Sequence, residues 1–168
     1  MSLAENIEPV QINAALTATA IARKYRLFGS YDAPYIEQVE DLTQGLRLRR
    51  EHIDAALSSA GPVPTHTFDD IFQMCLTQRL TFWPLANNTV AVTEIVKYPR
   101  SSTYHTFLAG GPKGALDTIY EWIPDMLLMA EASGCSQVSC AGRPGWAKAL
   151  KSRGWRPYVL IVSRGLDL

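Results

Sequence analysis

The chain has 168 residues, 47% of them hydrophobic, which supports one compact domain with room for an appended segment. Sixteen basic residues balance sixteen acidic ones, so the net charge points neither to nucleic acid nor to an anionic membrane surface. No apolar run approaches the roughly 20 residues of a spanning helix, and MSLAENIEPV lacks the charged start and apolar stretch of a signal peptide; the expectation is a soluble, cytoplasmic chain without a membrane span.

Residues 1–60 read as a helical extension. Ile12 to Arg26 is alanine-rich and ends in basic residues that suit a helix C-terminus, with Gly29 beyond as a stop. From Tyr35 to Ser59, Ile36, Val39, Leu42, Leu46, Ile53 and Leu57 recur at mostly three- and four-residue steps, which predicts an amphipathic helix interrupted near Gly45. The stretch GPVPTHT, Gly61 to Thr67, is the best boundary in the sequence, and a domain over residues 67–168 follows it.

In that domain Thr67 caps a short helix, FDDIFQMCLTQ. Three strands follow, LTFWPL, TVAVTEIVKY and TYHTFLA, joined by the polar turn Ala86-Asn87-Asn88 and by Pro99 to Ser102, and they form an antiparallel meander. After GGPKG a helix runs from Ala115 to about Ser133, with Leu116, Ile119, Tyr120, Ile123, Leu127 and Ala130 as its buried stripe, Pro124 as a kink and Gly134 as its stop. SQVSC is a strand, Pro144 to Ser152 a helix that turns Trp146, Ala147, Leu150 and Trp155 toward the core, and Trp155 to Ser163 the last strand. The order gives an α/β (α+β) fold with a mixed, mostly antiparallel sheet and helices on both faces.

Cys75, Cys135 and Cys140 have no metal-ligand spacing and read as buried small apolar residues, with Cys135 and Cys140 on opposite faces of a strand. Glu94 shares a face of its strand with Val90, Val92 and Val96, where apolar neighbours raise a carboxylate pKa and suit it to general-base work; the plainer alternative is an edge glutamate paired with Lys97 or Arg100. His105 shares a face with Thr103, Phe107 and Ala109 and reads as a strand-surface histidine. No Ser-His-Asp or Cys-His pattern, Walker loop or zinc spacing is legible.

The element order, together with the closing module AKALKSRGW before an apolar strand, resembles the GCN5-related N-acetyltransferase (GNAT) family over residues 67–168. The combination of WP, VTEIVKYPR, LAGG, a GC turn and GRPGW is similar to small GNAT-like proteins of tailed bacteriophages. The resemblance implies an acetyl-CoA site at Leu108, Ala109, Gly110, Gly111, Lys113, Gly114 and Ala115, the strand end and loop that open the long helix. That loop departs from the family pattern: no Arg or Gln stands at the usual offset from Gly114, and Pro112 removes an amide donor. The family's acid is a tyrosine four residues before the final Gly-aromatic pair; here that position is Leu150, which leaves Tyr158 or Tyr104 to substitute.

These departures favour a non-catalytic bacteriophage virion or assembly protein on a GNAT-like scaffold, needing no cofactor, with protein partners or self-assembly through the N-terminal helices, in the host cytoplasm or the virion. The alternative is an active N-acyltransferase that moves an acetyl group from acetyl-CoA to an amine, with Glu94 as base and Tyr158 as acid. Nucleic acid is disfavoured despite the basic face of Arg143, Lys148, Lys151, Arg153 and Arg156 around Trp146 and Trp155.

Overall fold

The computed structural model describes residues 41–61, 64–142 and 144–157. The helix read over Ile12 to Arg26 lies outside them, as does all of the last strand beyond Pro157. Helix α1 (Leu42–Leu48) and helix α2 (Arg50–Ser58) come first, then α3 (Phe68–Leu76). The expected interruption falls at Arg49 rather than at Gly45, which is buried inside α1. The physical reason is Arg49 itself. Its side chain is 1% exposed, and its guanidinium donates to the carbonyls of Thr89, Leu85 and Gly45 at 3.0, 3.3 and 3.3 Å.

Helix α3 starts where the sequence places it. The Thr67 hydroxyl accepts from the Asp70 amide at 3.3 Å, and the Asp70 carboxylate accepts from the Thr67 amide at 2.8 Å, a reciprocal capping box. Strands β1 (Thr81–Leu85), β2 (Thr89–Tyr98) and β3 (Ser101–Gly110) form the meander. Helix α4 (Ala115–Ala132) then crosses to β4 (Gln137–Cys140), which pairs parallel to β3 and gives the order β1-β2-β3-β4 among the described residues. Pro84 sits in β1, an outer strand among the described residues, where a missing amide costs least. Helix α5 (Pro144–Leu150) and a 3-10 turn (Lys151–Arg153) follow.

The sheet is covered on both faces. On one, Phe82, Val90, Val92 and Leu108 meet Leu42, Leu46, Ile53, Phe68, Ile71 and Cys75 from α1, α2 and α3. On the other, Trp83, Leu85, Ala91 and Tyr104 meet α4 and Leu150. Helix α4 is rotated from the expected stripe: Trp122, Met126 and Met129 are buried, whereas Leu116 and Leu127 are 36% and 44% exposed. Asp117, Glu121 and Asp125, at steps of four, form the polar stripe opposite the buried face, and the expected stripe was centred too near it; Trp122 against Trp83, with ring centroids 5.6 Å apart, marks the face that is buried.

One irregularity changes the side-chain parity of β3. Val92 pairs with Leu108 and Thr93 with Thr106, so Phe107 is an extra residue opposite no partner. Phe107 and Leu108 therefore both reach the α1–α3 side. Ala109, expected on the face of His105, instead packs against the α4 side.

Candidate functional site

Strands β3 and β4 pair from Thr103 with Gln137 to Thr106 with Cys140. Beyond that step β4 ends, and β3 continues to Gly110 without a β4 partner among the described residues.

A polar row crosses the sheet one step before the β3–β4 pairing ends. Glu94 on β2 is the register partner of His105 on β3, and His105 is the register partner of Ser139 on β4. The Ser139 hydroxyl lies 2.8 Å from His105 Nδ1, a hydrogen bond between side chains 34 residues apart in sequence. All three residues are half-buried. Burial pushes the His105 pKa below the ordinary 6.5, and the Glu94 carboxylate pulls part of the way back. Both causes are local: the imidazole is kept neutral near pH 7 and a developing positive charge on it has a carboxylate beside it. Glu94 also borders a small open cleft of about 220 Å³ with Gln78, Arg79 and Thr81 at the end of β1. His66 stacks edge-on against Phe107 at 5.0 Å.

The loop expected to hold acetyl-CoA is organised by packing. Leu108 is buried under the α1–α3 helices, and Ala109 packs on the α4 side. A methyl group on Gly110 would stand 2.7 Å from the His52 carbonyl of α2, and one on Gly111 would stand 2.7 Å from Ala115 Cβ and 3.0 Å from Thr89 Oγ1. Close approach of two elements is what these glycines supply. Gly114 takes φ +92° as the N-cap of α4, a conformation that glycine adopts without steric cost. Lys113 is exposed, and the Ala115 amide is bonded to the Pro112 carbonyl at 3.0 Å.

Of the two tyrosines that could substitute as acid, only Tyr104 falls among the described residues. Leu150, the position of the missing tyrosine, is 4% exposed and belongs to the core under α4. Tyr104 is 3% exposed and accepts at its hydroxyl from Thr93, which accepts from Trp83 Nε1. Tyr158 lies outside the described residues.

Cys75 is buried and its thiol is pushed up to about 12 by burial; Cys140 is raised for the same reason. Cys135 and Cys140 are half-buried and pack against the same cluster, not on opposite faces, because Cys135 precedes the strand and its alternation. Trp146 and Trp155 pack against the core, while Ala147, expected beside them, is exposed. Among the described residues no group of three His, Cys, Asp or Glu side chains could hold a metal ion, and no helix is long and apolar enough to cross a membrane.

No protein-family model matches the sequence, and no curated protein does. Solved structures do. An acetyltransferase of Trypanosoma brucei superposes with a TM-score of 0.55 at 17% identity, over 74% of this chain and 94% of that one. The fold is GNAT-like. Glucosamine-6-phosphate N-acetyltransferase of Arabidopsis thaliana superposes with a TM-score of 0.50 at 13% identity, over 73% and 94% of the two chains. At such identities the likeness speaks for the GNAT-like fold alone.

Proposed function

We propose that this chain is an interaction or assembly protein built on a GNAT-like scaffold, with no acetyl transfer, and that its setting is a tailed bacteriophage, in the virion or the host cytoplasm. The observation that carries the reading is Leu150: the position where the resemblance implies a proton donor is a buried part of the core. The loop supports it, since Gly110 and Gly111 answer to packing against α2, Thr89 and Ala115. In this reading partners or self-assembly are met through the N-terminal helices, of which α1 and α2 pack on the sheet and leave Leu48 60% exposed. The test is release of free thiol from acetyl-CoA over a panel of primary amines, run with the full chain. Turnover above the buffer rate overturns the reading.

A second reading, N-acyl transfer from acetyl-CoA to an amine, is favoured by a different observation. The Glu94–His105–Ser139 row lies half-buried across three neighbouring strands. A neutral imidazole next to a carboxylate suits removal of a proton from an incoming amine. The same thiol-release assay distinguishes the two.

A further inference from the structure

Ser139, His105 and Glu94 occupy matched positions on three neighbouring strands, with Ser139 Oγ 2.8 Å from His105 Nδ1. We propose that Ser139 is a nucleophilic serine, activated by His105 and supported by Glu94, that takes an acyl group from a carboxylic ester. This goes beyond both readings above, neither of which needs a reactive serine.

The arrangement meets the requirements of nucleophilic catalysis one by one. A serine hydroxyl is a weak nucleophile until a base within hydrogen-bond reach takes its proton, and 2.8 Å is within that reach. The base must be neutral beforehand, and burial holds His105 below its ordinary value. Once protonated, the imidazole is stabilised by a nearby carboxylate, and Glu94 is its register partner on the other side. With the proton on Nε2, Nδ1 accepts from Ser139. Access follows from their exposure: Ser139, His105 and Glu94 are each only half-buried and so keep contact with solvent.

In the reaction Ser139 Oγ bonds to the ester carbonyl carbon while its proton passes to His105 Nδ1. The carbon–oxygen bond to the alcohol breaks, and the leaving alkoxide takes that proton. Water then attacks the acyl-serine. Its proton passes through His105 to Ser139 Oγ, and the carboxylic acid leaves with both partners restored.

The test uses the full chain and a fluorophosphonate probe at neutral pH, with the modified peptide identified by mass spectrometry. Expected are phosphonylation on Ser139, its loss in Ser139→Ala, and a rate lower by about a hundredfold in His105→Gln, the lower range of a general base's contribution. No label on Ser139 at excess probe, or equal labelling of His105→Gln, overturns the proposal. Should the variants not fold by circular dichroism, the wild-type pH profile decides: labelling must fall as His105 becomes protonated, and a flat rate through its titration overturns the proposal equally.

Discussion

Arg49 donates its Nε–H to the Thr89 carbonyl at 3.0 Å, tying the junction of α1 and α2 to the first residue of β2. The same guanidinium reaches the Leu85 carbonyl across the hairpin. A planar fork with several donors suits this job, and a lysine ammonium does not reproduce it. Arg49→Ala leaves buried carbonyls without donors and should lower stability by about 3 kcal/mol. Urea denaturation checks this: the midpoint should fall with the slope unchanged, and Arg49→Lys should recover only part of the loss.

Two glycines of the loop should fail for different reasons. Gly111→Ala pushes a methyl into Ala115 and Thr89 and should cost about 1–3 kcal/mol by overpacking. Gly114→Ala meets no atom within 4 Å. Its cost should be the roughly 1 kcal/mol of a left-handed backbone, read as a smaller shift of the same urea midpoint.

Leu150→Ala removes a buried core side chain and should destabilise the fold by about 3 kcal/mol. A thermal scan gives the loss directly. A Leu150→Ala chain as stable as the parent would remove the core assignment of this position.

Two titrations have definite signs. The Asp70 carboxyl is held below 3.8, first by the Thr67 backbone amide and then by its hydroxyl. Its contribution is therefore present above pH 3.8 and lost as pH falls through the lower folded value. The stability gap between the parent and Asp70→Asn should close on acidification. His105 runs the other way in charge: its lowered pKa means that the unfolded chain binds the proton first, so stability falls as pH drops below 6.5. Since Glu94 opposes that depression, Glu94→Gln should move the His105 midpoint further down, read from the imidazole proton shifts by NMR. An unchanged midpoint would separate the two residues electrostatically.

Much of the fold was legible because its signals are local. Thr67 with Asp70, the alternating strand of Thr89 to Tyr98, and Gly134 at φ +69° after α4 each specify a boundary by short-range chemistry. The site was less legible. A single extra residue at Phe107 reverses the parity of everything beyond it on β3, and no composition marks it in advance. The His105–Ser139 contact depends on the register of a parallel pair joined by a whole crossover helix, which alternation within one strand cannot supply. Arg49 was not legible for a related reason: nothing in a charged run marks one arginine for burial, and only three converging carbonyls explain it.

Calorimetric titration of the full chain with acetyl-CoA tests the scaffold reading most directly. With the loop glycines spent on packing, the expected result is no saturable binding up to about 1 mM, a limit near −4 kcal/mol. Micromolar binding that Gly111→Glu abolishes would contradict it and place the chain among working acyl-CoA proteins.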